Sequence, residues 1–473
     1  MRFIRLASPL VALVGAVALP AQGRLPVTTA LRPYVSVDAP VVALTHVRLV
    51  DGTGEAPRDD QTILLKDGLI FGIGPSAVLA PPAEAQVIDL NGHTVIPGVV
   101  GLHEHTYFRQ TTRTTQMTVS GPLAYLANGV TTIRTAGSMF PYQELNMKHA
   151  VESGSLPGPR MHITGPYLNG AAGPESMNRG LRSPAEARRV VAYWAEEGAT
   201  WLKLQGNLTR AIAGAIVDEA HRHGMKVTGH LCSLSFADAA ALGFDAVEHG
   251  FITNSAYVPG KRPDTCPAEN MRIQAEVDVA SPAVQASIRE LADKKVAVTS
   301  TLAVYETFTP GRFKLHPRAM ELLAPDTRAE VEAEYAALGS QGLVVPERLI
   351  RKMMAWERDF VRAGGLLGAG VDPWGSGMLP GFGDLRNYEM LVEAGFTPAQ
   401  AIQVMTLNGA RILGEQATRG SIEMGKVADL VVIRGNPTAT PSAIYDVVTV
   451  FRSGTGFDSA KMLAAAKGLV GVR

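Results

Sequence analysis

From about residue 98 the chain alternates short apolar runs that read as strands with capped amphipathic stretches that read as helices. This alternation constrains the fold more than any other feature, because strands joined through helices run parallel and are covered on their faces. In "SPAEARRVVAYWAEEGA", Ser183 sits at the cap, Pro184 at the first helical position, and Gly198 ends the helix before the strand "TWLKLQ". The next helix has Thr209 as cap and Ile212, Ile216 and Ala220 on one face, and Gly224 closes it before "MKVTGH". Continuing in this way places strands near 98–103, 130–135, 160–164, 200–205, 226–230, 245–249, 296–301 and 366–371. Eight parallel strands with intervening helices predict an α/β fold, a (β/α)8 TIM barrel over residues 98–419. The long intervals 251–295 and 303–365 hold extra helix, expected over the barrel mouth.

The flanks read differently. Residues 41–97 carry hairpin signals at Asp67-Gly68 and Asn91-Gly92, and residues 420–453 return to strand character. Strands at both ends of a barrel predict one small β-sandwich domain built from the N- and C-terminal segments, followed by a terminal helix over 454–473. The first 23 residues place Arg2 and Arg5 before the apolar run "ASPLVALVGAVAL" and the small residues "PAQG" after it. That is the order of a secretory signal peptide, and the run is short for a membrane span. The expectation is an exported, periplasmic or secreted protein, with a retained anchor as the alternative and no membrane contact in the mature form. Lys plus Arg and Asp plus Glu are equal at 44 each, with no run of like charge, which argues against nucleic acid as a partner. A small-molecule substrate fits this balance, and a homo-oligomer is compatible with it.

Chemistry concentrates at the strand ends. Residues two apart on a strand share a face, so His103 and His105 of "GLHEH" can both point inward while Glu104 points away, left to orient a neighbouring element. In "TWLKLQ" the same parity sets Trp201, Lys203 and Gln205 against Leu202 and Leu204, and the leucines suit the helix-facing shell. His230, His249 and Asp372 end three further strands. Singly, each has a bland explanation: a structural histidine, a lysine reaching for the surface, an aspartate opening a turn. Jointly they lie on the rim where barrel enzymes place their active sites. Four imidazoles and a carboxylate match the ligand set of zinc or a similar divalent ion. An inward lysine beside such an ion must be neutral or chemically modified.

These motifs resemble the binuclear-metal branch of the amidohydrolase superfamily. The resemblance rests on "VIPGVVGLHEH", "NGVTTIRTAG", "GATWLKLQ", "KVTGH", "AVEHG" and "GAGVDPWG", with the closing "GFTPAQAIQVMTLNGARILG" and "GSIEMGKVADLVVI". It implies two divalent metal ions bridged by a carbamylated Lys203, with His103, His105 and Asp372 on the more buried ion and His230 and His249 on the other. It also implies a shared hydroxide that attacks a carbonyl, and Asp372 carrying its proton to the leaving nitrogen. The sequence departs from the family pattern at Gly101, Thr135, Val371 and Pro373, which bears on substrate more than on metal.

Within the superfamily the chain is most similar to imidazolonepropionase-like and prolidase-like hydrolases. This implies cleavage of an amide or peptide-like bond in dipeptides or N-acyl amino acids, whose carboxylate needs a cation or phenol. Tyr107, Arg109, Arg134, Tyr167 and Tyr257 are candidates by position near the rim, although ordinary packing accounts for each as well. A cyclic-amide or lactone hydrolase with the same metals, or a catalytically silent metal-binding protein on this scaffold, are the alternatives. The only cysteines, Cys232 and Cys266, fall above adjacent strands. In an exported chain they either form a disulfide pinning the 251–295 segment over the pocket or remain two thiols that never meet.

Overall fold

A computed structural model describes residues 23–170, 178–267, 270–340 and 343–472. Apart from Gly23, the leader expected at 1–23 lies outside the described residues. Among the described residues, no helix is long and apolar enough to cross a membrane.

Eight parallel strands occur where the sequence places them: Val99–Glu104, Val130–Thr135, Arg160–His162, Trp201–Leu204, Lys226–Gly229, Ala246–Glu248, Ala297–Ser300 and Leu367–Ala369. They form three ladders, one of the first three strands, one of the fourth and fifth, and one of the last three. The third strand is broken at Gly165 and Pro166, and its continuation Tyr167–Gly170 pairs with the fourth, setting Tyr167 opposite Lys203. Backbone hydrogen bonds link the ladders: Asp245 N–H donates to Val227 O at 3.1 Å, and Val371 and Asp372 N–H donate to His103 O at 3.2 and 2.8 Å. The architecture is an α/β fold of TIM-barrel type.

Side-chain parity sorts the strands into two shells. Trp201, Ala246 and Ala297 pack with Val100 and Leu102 in an inner cluster. Their sequence neighbours Leu202, Val247 and Val298 join the larger core that contacts the helices. The first strand breaks this parity once. Its register against the second strand slips between Gly101 and Glu104, where three steps face two. This bulge lets Leu102 and His103 both face inward, and returns Glu104 to the outer side with Gly101. A Cβ on Gly101 would meet Glu104 Oε1 at 2.5 Å, so the Glu104 carboxyl fills the space over this glycine.

The terminal segments join a single sheet. Its order runs Val35–Val37, Thr455–Asp458, Val447–Arg452, Leu430–Arg434, His93–Pro97, Val41–Leu49, Arg58–Lys66 and Leu69–Pro75, with Gln86–Asp89 also paired to Val41–Leu49. The ladders thus hold these strands in one continuous sheet. His93–Pro97 bonds to strands from both chain ends, so hydrogen bonding runs unbroken across the join, and the sheet surrounds its own core of Val42, Leu44, Ile63, Leu430 and Phe451. The helix expected over 454–473 is shorter: Thr455–Asp458 is the last strand, and Asp458 caps a helix over Ser459–Ala466 by accepting from Lys461 N–H.

Contact between the eighth and first strands depends on Gly370, where an added Cβ would meet His103 N at 2.2 Å. Backbone cannot yield there as a flexible side chain would. Gly370→Ala is expected to lower stability by about 1–3 kcal/mol, the usual cost of overpacking. A urea midpoint equal to wild type would show that these strands need not approach so closely.

Candidate active site

The six residues read from strand ends converge. His105 Nε2 lies 2.9 Å from Asp372 Oδ1, His103 Nε2 lies 3.6 Å from the same oxygen, and His249 Nε2 lies 3.9 Å from Asp372 Oδ2. Lys203 Nζ is 3.4 Å from His103 Nε2. The ring of His249 is centred 4.6 Å from those of both His103 and His230. His103, His105 and Asp372 offer ligand atoms that all lie within 4.8 Å of one another, an arrangement able to hold a metal ion.

Two of these residues need unusual backbone. Adjacent residues on a strand face opposite ways, yet Glu248 and His249 both face inward. The left-handed φ of 65° at His249 makes this possible by ending the strand there. Asp372 has a φ of 58° although it precedes Pro373, a position that favours extended backbone. Such conformations at non-glycine residues cost on the order of 1–3 kcal/mol and persist where the surroundings fix them.

Beneath the cluster lies a buried polar network that the strand-end reading missed. Glu248 Oε2 accepts from His103 Nδ1 at 2.8 Å, and Oε1 accepts from Arg134 and from Thr228 Oγ1. The guanidinium of Arg134 also lies over the Trp201 ring, 4.6 Å from its centroid. The signal for Glu248 was its parity with inward-facing Ala246. The His103–Glu248 contact puts the proton on Nδ1 and leaves Nε2 toward Lys203 and Asp372. Thr301 Oγ1 lies 2.6 Å from His249 Nδ1 and pairs with that nitrogen. His249 Nε2 is then buried among the described residues without a hydrogen-bond partner.

Burial governs the electrostatics. It lowers His103 and His249 well below the ordinary imidazole range and brings His230 to about 4, with Lys203 adding to each shift. These imidazoles are therefore neutral at pH 7, with lone pairs free. Burial also brings Lys203 down to about 8, against the pull of Glu248 and Asp372. For Asp372 burial acts upward, but His103, His105 and Lys203 outweigh it and keep the carboxylate ionised. Neutral imidazole donors, an orphaned Nε2 and an ionised carboxylate suit a divalent cation.

The site opens on a cavity of about 830 Å3 that His230, Asp372, Tyr305 and Trp374 help to line. Cys232 and Cys266 also line it and are joined as a disulfide, with Cα atoms 4.9 Å apart. The five carboxylate-binding candidates fare unequally. Arg134 is not available, since it is fully buried and paired with Glu248. Tyr257 faces away, with its ring stacked on Phe251 and its hydroxyl 2.6 Å from Ser287 Oγ. Arg109 stands against Trp374, 5.2 Å from the ring centroid. Tyr107 and Tyr167 share a hydroxyl hydrogen bond of 2.6 Å, and the Tyr167 hydroxyl lies 3.3 Å from His105 Nε2, so both support the cluster from the side. Glu104 lies outside the cluster as parity requires; burial and neighbouring Asp384 raise its pKa well above the carboxylate range.

Fold and site together define a class: a TIM-barrel-type α/β protein with a candidate metal centre at the C-terminal ends of its strands. Residues 94–456 match the amidohydrolase family, and the chain belongs to it. It is similar to the imidazolonepropionase of Pseudomonas paraeruginosa, with 26% identity over 390 residues that cover 79% of this chain and 87% of that one. It is also similar to the enamidase of Eubacterium barkeri, with 26% identity over 253 residues, 52% of this chain and 64% of the enzyme. Among solved structures, a Xaa-Pro dipeptidase with bound methionine matches with a TM-score of 0.63 at 21% identity, covering 88% of this chain and 100% of that one. The chain is a hydrolase acting on carbon–nitrogen bonds, in a family whose members use divalent metal ions.

Glu248→Gln removes the counter-ion of a buried guanidinium while keeping its shape. A loss of about 3–5 kcal/mol is expected in chemical denaturation, and a wild-type midpoint would show that Arg134 does not depend on this pair. The disulfide predicts that the denatured chain migrates differently on a gel with and without reductant; identical migration would remove the Cys232–Cys266 bond.

Proposed function

We propose that this protein is a binuclear metal-dependent amidohydrolase that cleaves an amide or peptide-like bond, in dipeptides or N-acyl amino acids. The observation that carries this reading is the convergence of four imidazoles, an ionised aspartate and a buried lysine beside a large cavity. Two divalent ions such as zinc, one held by His103, His105 and Asp372, the other by His230 and His249, with Lys203 between, would lower the pKa of a bound water and polarise the scissile carbonyl.

The chain's own groups account for the rest. Lys203, with its pKa brought down to about 8, has a free amine fraction at neutral pH. That lone pair can add to carbon dioxide: an N–C bond forms, one C–O π pair moves to oxygen, and the nitrogen loses a proton to solvent. The resulting carbamate supplies the anion that an ammonium could not. Asp372 has a side chain 19% exposed, toward the cavity, and its carboxylate can accept a proton from attacking water and return it to the departing nitrogen. Glu248 holds His103 in the tautomer that leaves Nε2 unprotonated, and Thr301 pairs with Nδ1 of His249, turning its Nε2 to the site.

A cyclic amide is the second reading, favoured by the match to an imidazolonepropionase over 79% of the chain. Export after cleavage of residues 1–23 belongs to the same proposal, and a disulfide at Cys232–Cys266 accords with an oxidising compartment.

Zinc-loaded protein screened on N-acyl amino acids, Xaa-Pro and other dipeptides and cyclic amides is expected to release product from one of these classes. Two equivalents of metal per chain are expected, falling in Lys203→Ala, with activity of that variant partly restored by a small carboxylic acid. Full metal retention in Lys203→Ala would refute a bridging lysine, and two bound equivalents without hydrolysis of any class would favour a silent metal-binding protein.

A further inference from the structure

The cavity over Asp372 has two kinds of wall. Beside His230 it is polar and neutral, formed by Asn169, Gln205 and Asn207. Asn169 Oδ1 accepts from the backbone N–H groups of Gly170 and Asn207, both at 2.9 Å, which fixes the amide and leaves its nitrogen as the donor end. The opposite wall is apolar. Phe308 and Trp374 lie with ring centroids 6.0 Å apart, tilted by 33°, and Trp374 is two residues from Asp372. Both rings are only partly covered by protein, and both face the cavity. Half-buried Met271 continues this wall, backed by the buried side chains of Ile252, Val345 and Leu349. Val345 N–H donates to Phe308 O at 2.9 Å, which ties the outer part of the wall to the aromatic pair. Leu343 and Val344, 43% and 45% exposed, carry the apolar surface to the mouth.

Among the described residues, the cationic side chains lining the cavity are Arg272 and Arg348, and both stand on helices; Arg348 is paired with Glu276 at 2.6 Å. The volume of about 830 Å3 lies in the upper part of the range that encloses ligands of drug size. A small polar dipeptide would leave the partly exposed aromatic pair, Met271, Leu343 and Val344 facing water.

We infer that the substrate carries a bulky apolar arm, aromatic or long aliphatic, which packs on Phe308 and Trp374 and runs past Met271 toward Leu343 and Val344. The polar part next to the scissile bond meets the neutral amides of Asn169 and Gln205. This rests on the hydrolase reading for the reaction, though not for the binding of the arm.

The test uses full-length, zinc-loaded protein and one amino acid acylated with acetyl, butanoyl, hexanoyl, octanoyl and benzyloxycarbonyl groups. kcat/KM is expected to rise along the aliphatic series by up to about fourfold per buried methylene, with the benzyloxycarbonyl compound well above acetyl. The free acids from acetate to octanoate are titrated in parallel by calorimetry, and their affinity should rise in the same order. Phe308→Ala, its fold checked by circular dichroism, should flatten both series. A flat or falling dependence on chain length in both measurements overturns the apolar arm even where hydrolysis is seen. Affinity that rises with length while no amide of the series is hydrolysed would leave the arm standing and overturn N-acyl amino acids as the substrate class. Rising affinity that Phe308→Ala leaves unaltered would place the apolar site elsewhere and overturn this assignment.

Discussion

Glu248 can stay ionised with no exposed side-chain surface because Arg134, Thr228 and His103 enclose its two oxygens. A lone carboxylate or guanidinium at that depth would be prohibitively unfavourable, so each makes the other tolerable. The pair also does something for the cluster above it. With one oxygen committed to Arg134 and Thr228, the other fixes the proton of His103 on Nδ1 and directs Nε2 toward Lys203 and Asp372. Burial then outweighs the attraction of Glu248 and Asp372 for the lysine ammonium, and the amine stays within reach of its neutral form at physiological pH. The ion pair beneath the cluster thus sets the His103 tautomer, while burial sets the protonation state of Lys203.

Regular strands could not have assembled this site. In an ideal strand Leu102 and His103 would face opposite shells, as would Glu248 and His249. The bulge in the first strand resolves the first conflict and the left-handed backbone at His249 the second. Asp372 reaches the cluster by a similar departure just before a proline. Each irregularity sits where the chain leaves the ladder, so the pairing lower down, around Trp201, Ala246 and Ala297, is undisturbed. Local strain at the rim is held in place by the packed layer below it.

The sequence carried the strand order and the polar residues at the strand ends, because both rest on local signals: caps, glycine stops and alternation. Lys203 was legible for the same reason, since the leucines on either side fix its face. What escaped were features decided by register or by contacts distant in sequence. Parity cannot reveal a bulge, so the inward turn of His103 followed from a rule that its own strand breaks. Arg134 looked like a rim cation because nothing local announces a partner 114 residues away. Tyr257 was misplaced because its short helical turn faces Ser287 rather than the cavity. The continuous sheet at the chain ends likewise depends on how His93–Pro97 pairs, which hairpin signals on either side do not specify.

Floor and walls of the site come from different parts of the chain and obey different rules. The floor is built from strand ends and admits little variation, because its groups are buried, charged and mutually dependent. Most of the apolar wall comes from residues after the sixth and seventh strands, segments whose backbone is held by ties to the rim rather than by the ladder. The Cys232–Cys266 bond makes one such tie, joining the residues just after His230 to the segment that carries Met271. Ser255 Oγ donates to Cys232 O and makes another. A wall anchored at both ends can exchange one apolar side chain for another without disturbing the charges below, since among the described residues no hydrogen bond of the Glu248 carboxylate reaches it. In such an arrangement the strand ends decide what bond can be broken, and the tethered segments above them decide which molecule presents it.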